Sequence, residues 1–113
     1  MVENQRWVTG GLLRGKADRL LNERTQAVQE KVAEIASISL GRGSDMPGVD
    51  EPLYGTETGF DSFSLLEFIL RLEDEFGIAI SDEDLDPDVF RSINTVVAYV
   101  LRRIEEKGIQ WAP

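Results

Sequence analysis

The stretch that decides the fold runs from Gly59 to Ile80 and reads GFDSFSLLEFILRLEDEFGIAI. Its apolar residues recur at steps of three and four, which predicts a helix over Ser62–Phe76. Gly77 follows as a helix stop signal. The hydroxyl of Ser62 therefore lies at a helix N-terminus. Backbone N–H groups without helical acceptors and the positive end of the helix dipole favour an attached phosphate there.

The residue that caps this helix at its N-terminus is ambiguous in the sequence. Asp61 and Ser62 are both residue types whose side chains accept hydrogen bonds from first-turn N–H groups. Ser64 with Glu67 also fits the spacing of a capping box. The first residue of the helix is therefore open by a few positions.

The remaining pattern predicts an all-α four-helix bundle with three longer helices and one short helix. The first helix is expected over Lys16–Leu40, and a long loop, Arg42–Phe60, separates it from the second. A short helix is expected over Pro87–Arg91 and a last helix over Ile93–Lys107, with Ser92 as its cap. The core stripe of the first helix consists of Leu20, Leu21, Val28, Val32, Ile35, Ala36, Ser39 and Leu40.

Three regions are expected along the 113 residues: a flexible leader over 1–15, the helical bundle over 16–107, and a tail over 108–113. The leader contains Gly10, Gly11 and Gly15 and shows no sustained apolar period. A chain of this length with 42% apolar residues suits one domain with a modest core.

The chain contains no cysteine and no histidine. Disulfides, thiolate nucleophiles, zinc sites built from Cys and His, and Ser-His or Cys-His catalytic pairs are therefore excluded. Catalysis would have to rely on carboxylates or lysine, and no second catalytic group accompanies any candidate. We therefore expect a protein that is not an enzyme.

An acidic run after the second helix has the alternation of a calcium loop, with Asp82, Asp84 and Asp86 at its first positions. The EF-hand pattern then fails, because Pro87 occupies the glycine position and Ile93 the position of the bidentate glutamate. No metal site is predicted.

The net charge of −9 is unevenly distributed. Residues 1–44 carry seven basic and five acidic residues, whereas residues 45–113 carry five basic and sixteen acidic ones. Such a surface repels nucleic acid and anionic membranes and attracts basic protein partners. Because no apolar run is long enough to span a bilayer and no signal peptide is visible, a cytoplasmic protein is expected.

The segment Gly59–Phe63 resembles the Gly-x-Asp-Ser-Leu attachment motif of the acyl carrier protein family, which includes peptidyl and aminoacyl carrier domains. Two positions depart from the usual pattern: Phe63 stands where leucine or methionine is common, and Thr58 where leucine commonly precedes the glycine. The resemblance covers roughly Glu23–Ile104. Behind the motif, the matching residues are Leu66, Phe68, Ile69, Leu72, Glu73, Asp74, Glu75, Phe76, Ile78 and Ile80.

This resemblance implies that a phosphopantetheinyl transferase moves 4′-phosphopantetheine from coenzyme A onto the hydroxyl of Ser62, with Asp61 beside it in the motif. The thiol of the arm would carry acyl or aminoacyl groups as thioesters. The implied partners are that transferase, a ligase that loads the acyl or aminoacyl group, and downstream acyl-processing enzymes. A monomer is expected.

The exposed part of the second helix is the expected surface for these partners. Its acidic triplet lies at the negative end of the helix dipole, where acids are mildly unfavourable. This placement indicates either a role in binding or simply a solvated helix end. The residues assigned to partner contact are Phe63, Leu66, Glu67, Leu70, Glu73, Asp74 and Glu75.

Two alternatives remain open at the level of sequence. The chain would be an acidic helical interaction module without a prosthetic group if Ser62 served only as a helix cap. A carboxylate-based enzyme is the other alternative. The sequence does not distinguish among fatty acyl, polyketide, aminoacyl and D-alanyl cargo.

Overall fold

The computed structural model describes residues 2–54 and 59–112, with side chains at Leu20 and from Asn22 onward. Three α-helices are present in it: α1 (Val2–Leu40), α2 (Ser62–Phe76) and α3 (Ile93–Lys107). A single 3-10 turn, Asp82–Asp84, lies between α2 and α3. No strand occurs in the described ranges, so the predicted all-α class is confirmed, and α2 and α3 begin and end where the sequence placed them.

The first helix is longer than predicted. Its backbone is helical from Val2 rather than from about Lys16, so α1 crosses the expected boundary between a leader and the bundle. Glycine costs a helix only about 1 kcal/mol relative to alanine and does not bar it as proline does. Treating Gly10, Gly11 and Gly15 as breakers was therefore wrong. The division into 1–15, 16–107 and 108–113 stays a prediction, and the Trp7 side chain lies outside the described residues.

The short third helix is displaced from its predicted position. The 3-10 turn lies at Asp82–Asp84, whereas the segment after Pro87 forms only a hydrogen-bonded turn. In that turn the Val89 N–H donates to the Asp86 carbonyl at 2.9 Å. Ser92, which follows this segment, has an extended backbone and caps α3. Phe90 is nevertheless buried, as the pattern predicted.

The core lies where α1 packs against both α2 and α3. Among the α1 side chains that the structure describes, the buried positions begin at Val28, and Leu20 is exposed, so its assignment to the core stripe was wrong. The side chain of Leu21 lies outside the described residues. The fully or nearly buried apolar residues are Val28, Val32, Ile35, Ala36, Leu53, Phe60, Phe68, Ile69, Leu72, Phe76, Ile78, Phe90, Ile93, Val96, Val97, Tyr99, Val100 and Ile104.

A line of aromatic side chains crosses this core. The rings of Phe60 and Phe68 stack with centroids 4.8 Å apart. Phe90 meets Phe68 edge to face at 6.4 Å and Tyr99 at 6.3 Å. Offset-stacked and edge-to-face pairs at such distances are favourable beyond the area that they bury. These ring contacts fix the loop before α2 and the turn before α3 against the two helices.

The long loop between α1 and α2 is held by backbone hydrogen bonds. The Leu53 N–H donates to the Arg91 carbonyl at 2.9 Å, and the Asn94 N–H donates to the Val49 carbonyl at 3.0 Å. Phe60 in turn donates its N–H to the Leu53 carbonyl. Because Leu53 is fully buried, the loop is fixed to the start of α3, and its last residues enter α2 from a defined position.

The 3-10 turn is tied to α3 by one carboxylate. Asp84 accepts hydrogen bonds from the Tyr99 hydroxyl and from Nη1 of Arg103, each at 2.8 Å. Burial, reinforced by the hydrogen bond to Asp84, raises the pKa of Tyr99 to about 12. The tyrosine therefore keeps its proton and donates it to Asp84 across the physiological pH range.

Candidate functional site

Asp61 is the residue that caps α2, which resolves the ambiguity left by the sequence. Its carboxylate accepts a hydrogen bond from the Ser64 N–H at 2.8 Å, and the Ser64 hydroxyl accepts one from the Asp61 N–H at 3.0 Å. This reciprocal pair is a capping box. Glu67 takes no part in it and pairs instead with Arg71 at 2.9 Å, one turn along the helix.

The charge of Asp61 is stabilised by this cap. The backbone N–H of Ser64, and after it the Ser64 hydroxyl, hydrogen-bond to the carboxylate and hold the pKa of Asp61 below its usual range. A negative charge at a helix N-terminus is also favoured by the dipole. Asp61 is therefore ionised at neutral pH and oriented toward Ser64.

Ser62 is the first residue of α2, and its side chain is exposed. Within residues 2–54 and 59–112, its hydroxyl makes no hydrogen bond, in contrast to the hydroxyl of Ser64. The first-turn N–H groups of a helix have no helical acceptors, and the capping box uses that of Ser64. An exposed hydroxyl beside such donors fits a phosphodiester.

An apolar stripe follows Ser62 along the outer face of α2. It consists of Phe63, Leu66 and Leu70, whose side chains are 80%, 55% and 56% exposed. Their three- and four-residue spacing places them on one face of the helix. Large apolar side chains that share one exposed face mark a candidate contact surface for a partner.

The acidic triplet at the end of α2 separates into residues with different environments. Glu73 is half-buried, and its carboxylate accepts a hydrogen bond from the Ile80 N–H at 2.8 Å. Glu75 is half-buried and accepts one from the Trp111 indole N–H at 2.9 Å. Asp74 is exposed and, among the described residues, makes no hydrogen bond or ion pair. Asp74 is therefore the acid of the triplet whose carboxylate makes no contact of this kind with the described residues.

A cavity of about 190 Å³ lies beside α2, on a different face of the helix from the exposed stripe. It lies between the helix and the segment that follows the 3-10 turn. Its walls are almost entirely apolar, and Asp86 is the only charged residue among them. The lining residues are Tyr54, Leu65, Ile69, Leu85, Asp86, Pro87 and Phe90.

The sequence did not reveal two parts of this site. The cavity depends on where the segment after Asp84 packs, and no local pattern encodes that position. The capping role of Ser64 did have a signal, since Ser64 stands three residues after Asp61 and can return a hydrogen bond to the cap residue.

Comparison with known proteins supplies the decisive observation. A family model described as "Phosphopantetheine attachment site" matches residues 26–100. The acyl carrier protein of Nitratidesulfovibrio vulgaris is 31% identical over 74 residues, which are 66% of this chain and 93% of that protein. The chain belongs to the phosphopantetheine-attachment family of acyl carrier proteins. Other relatives include the acyl carrier proteins of Cyanidium caldarium, 28% identical over 74% of this chain and 93% of that protein, and of Solidesulfovibrio magneticus, 41% identical over 51% and 73%.

Membership of this family means that the chain is a carrier protein with a covalently attached 4′-phosphopantetheine group. The matched residues run from within α1 to within α3 and include the whole of α2. The alternative of an interaction module without a prosthetic group is thereby set aside. A carrier of this type works together with partner enzymes that load and use the carried group.

Two further observations concern the described part of the chain. No group of three acidic side chains in residues 2–54 and 59–112 lies close enough together to hold a metal ion. None of the helices in those ranges combines the length and apolarity needed to cross a bilayer.

Replacing Asp61 with asparagine should make the stability of the fold less dependent on pH in the acidic range. The folded-state pKa of Asp61 is lowered, so its carboxylate stabilises the fold above its unfolded-state pKa of about 4, and this contribution is lost as the pH falls through the folded pKa. Between roughly pH 5 and pH 2, the urea midpoint should therefore fall more steeply in the wild type than in Asp61→Asn.

Asp61→Ala serves as the control for this comparison. It removes the acceptor for the Ser64 N–H as well as the charge, so its midpoint should be lower than that of Asp61→Asn at neutral pH. Equal acid slopes for the wild type and Asp61→Asn would contradict the prediction.

Proposed function

We propose that the 4′-phosphopantetheine group is attached to the hydroxyl of Ser62. The observation that carries this proposal is the position of Ser62, exposed at the first residue of α2 beside a cap that is already complete without it. Helix N-termini favour phosphate because their N–H groups and the helix dipole both face it. When bound, the group supplies the thiol that a chain without cysteine lacks.

Ser64 is the nearest competing acceptor, and its environment disfavours it. Its hydroxyl already exchanges hydrogen bonds with the backbone N–H and the carboxylate of Asp61, at 3.0 and 2.9 Å. Modification of Ser64 would disrupt the capping box and place a negatively charged phosphodiester against the Asp61 carboxylate. Ser62 can be modified without the loss of any hydrogen bond seen among the described residues.

The chain leaves activation of Ser62 to another protein. A serine hydroxyl is a weak nucleophile without a general base, and Asp61, the adjacent carboxylate, is committed to the Ser64 N–H. The required base, and the site for coenzyme A, would come from a phosphopantetheinyl transferase. We therefore propose a protein without catalytic activity of its own. In keeping with the expectations from the sequence, we also propose that it is a cytoplasmic monomer loaded by a separate ligase.

Incubation with coenzyme A and a broad-specificity phosphopantetheinyl transferase should increase the intact mass by one phosphopantetheinyl group. Ser62→Ala should gain nothing, because the accepting oxygen is absent. Intact-protein mass spectrometry measures both results.

The matched control is Ser64→Ala, which removes the competing hydroxyl two residues along the same helix. It should still gain one group, although its weakened cap lowers its stability. Modification of Ser62→Ala, or loss of modification in a folded Ser64→Ala, would contradict the assignment to Ser62.

We also propose that partner enzymes dock on the stripe of Phe63, Leu66 and Leu70, with Asp74 at its far end. The stripe begins next to Ser62, so a partner that reaches the prosthetic group meets these side chains. An apolar contact region with a charged residue at its edge is typical of protein interfaces. Glu67 lies along the same face but is paired with Arg71, and Glu73 and Glu75 are held by internal hydrogen bonds.

Leu70→Gln should raise the KM of the transferase for this carrier about fivefold, because burial of a leucine side chain that is 56% exposed in the free protein contributes about 1 kcal/mol. The turnover number should change little, since Leu70 lies two turns from Ser62. The initial rate of phosphopantetheinylation, measured against carrier concentration, gives both constants.

Ile38→Gln is the control, because Ile38 is also exposed, at 46%, but belongs to α1 and not to the stripe. It should leave KM within twofold of the wild-type value. Equal effects of the two substitutions would mean that the stripe has no special role in docking.

The apolar cavity favours an apolar acyl group over an aminoacyl group as cargo. Its wall includes Leu65, which lies one turn after Ser62 on α2, and it presents almost no polar atoms. Burial of each methylene group contributes about 0.8 kcal/mol, whereas a charged amino group would lose its hydration without gaining a partner. We therefore propose that a medium-length acyl chain folds back into this cavity.

Loading with an octanoyl group should raise the thermal midpoint above that of the acetyl-loaded protein, and an alanyl group should not. Differential scanning calorimetry of the three loaded forms measures the effect. Leu85→Glu places a charge in the cavity wall at a side chain that is 44% exposed, so it should abolish the octanoyl effect while changing the unloaded midpoint little. Equal midpoints for octanoyl and alanyl forms would argue against the cavity as a cargo site.

A further inference from the structure

The C-terminal tail makes a specific contact with the end of α2. The indole N–H of Trp111 donates a hydrogen bond to Oε2 of Glu75 at 2.9 Å. The indole ring packs on the Phe76 ring with centroids 4.9 Å apart and the planes tilted by 53°. Phe76 is fully buried, so Trp111 is held by an apolar contact on one side and by a directed hydrogen bond on the other.

Two further contacts hold the tail in place before Trp111. Gly108 ends α3 with a φ of 63°, and the next N–H, that of Ile109, donates to the Ile104 carbonyl at 3.1 Å. Nη2 of Arg24, on α1, donates to the Ile109 carbonyl at 3.3 Å. The tail therefore joins the C-terminal end of α3 to α1 and to the last turn of α2.

This contact changes which acids a docking partner meets. Asp74 is exposed and lies in line with the stripe of Phe63, Leu66 and Leu70, because it follows Leu70 by four residues. Glu75 lies about 100° further around the helix, at the border with the core. The indole N–H holds Oε2 of Glu75 on the side of the tail, so a basic partner would have to reach the remaining oxygen away from the line of the stripe.

We propose that Trp111 is a positioning residue that holds the carboxylate of Glu75 away from the docking stripe, so that Asp74 is the acid that pairs with a basic group on the partner enzyme. This inference rests on the proposed docking face and deepens it. The hydrogen bond removes no charge from Glu75 but fixes where that charge points. The partner class is an enzyme whose docking surface combines an apolar patch with a lysine or arginine placed opposite Asp74.

The tail contact itself can be tested without a partner. The indole N–H signal of Trp111 in a proton–nitrogen NMR spectrum should exchange slowly with water, and Glu75→Ala should accelerate that exchange at least several-fold. A spectrum of Trp111→Phe assigns the signal. Rapid exchange in the wild-type protein would overturn the proposal, because Glu75 would then be available to any partner.

The effect on docking is measured as the dissociation constant for the transferase, with the unmodified full chain and without coenzyme A. Binding without turnover separates this test from the attachment assignment, which depends on the gain in mass. Asp74→Asn should weaken binding about two- to fivefold, the usual range for one partly exposed ion pair, and Glu75→Gln should change it less than twofold.

Trp111→Phe provides the deciding comparison, because it keeps the ring against Phe76 but lacks the indole N–H. Trp111→Phe should bind the transferase more tightly, with a stronger dependence of affinity on salt, because the Glu75 carboxylate is then free to turn toward the partner. A second substitution, Glu75→Gln, should remove both effects. A merely structural role of Trp111 would not depend on the charge of Glu75. Equal effects of Asp74→Asn and Glu75→Gln in the wild type, or identical affinities of Trp111→Phe with and without Glu75→Gln, would overturn the proposal.

Discussion

The placement of Ser62 depends on the burial of Phe60, two residues before it. Phe60 stacks on Phe68 in the middle of α2 and donates its backbone N–H to Leu53, which is itself buried and bonded to Arg91. With Phe60 fixed inside, the chain must turn outward at Asp61 to begin the helix, and Ser62 emerges at the surface. The long loop and the start of α3 thus act together to present one hydroxyl.

The polar residues at the two ends of α2 make different hydrogen bonds, and these bonds explain an otherwise unfavourable charge pattern. At the N-terminus, Asp61 and Ser64 satisfy each other, and the hydroxyl of Ser62 takes no part in the cap. At the C-terminus, three acids face the negative end of the dipole, which costs stability. Glu73 and Glu75 offset that cost by accepting hydrogen bonds from the backbone of Ile80 and the indole of Trp111. The structure therefore gives a local reason for two acids that the sequence alone assigned to binding.

Local signals predicted those parts of the molecule in which neighbouring residues decide the conformation. The bounds of α2 and α3 followed from apolar periodicity, from Ser92 as a cap and from Gly77 and Gly108 in the left-handed region, where glycine is favoured. The candidate site at Asp61-Ser62 followed from the same kind of signal, the residue preferences at helix ends.

The features that the sequence missed depend on distant packing or on small energies. The short helix lies at Asp82–Asp84 and not at Pro87–Arg91, because Asp84 accepts hydrogen bonds from Tyr99 and Arg103 on α3, fifteen and nineteen residues away. The contact between Trp111 and Glu75 spans 36 residues and has no sequence signature. The early start of α1 reflects the modest cost of glycine in a helix, which a rule based on breakers overstates.

Both ends of α2 are closed by specific bonds, with the capping box at Asp61 and a left-handed glycine, Gly77, whose N–H donates to the Glu73 carbonyl at 3.0 Å. The helix is therefore rigid before any partner arrives. A partner that docks on the proposed stripe would order little backbone, so the entropic cost of association would fall mainly on a few exposed side chains such as Phe63. A carrier that must be released after each transfer can then achieve selectivity through the shape of a rigid helix, with only a small contact area and a correspondingly modest affinity.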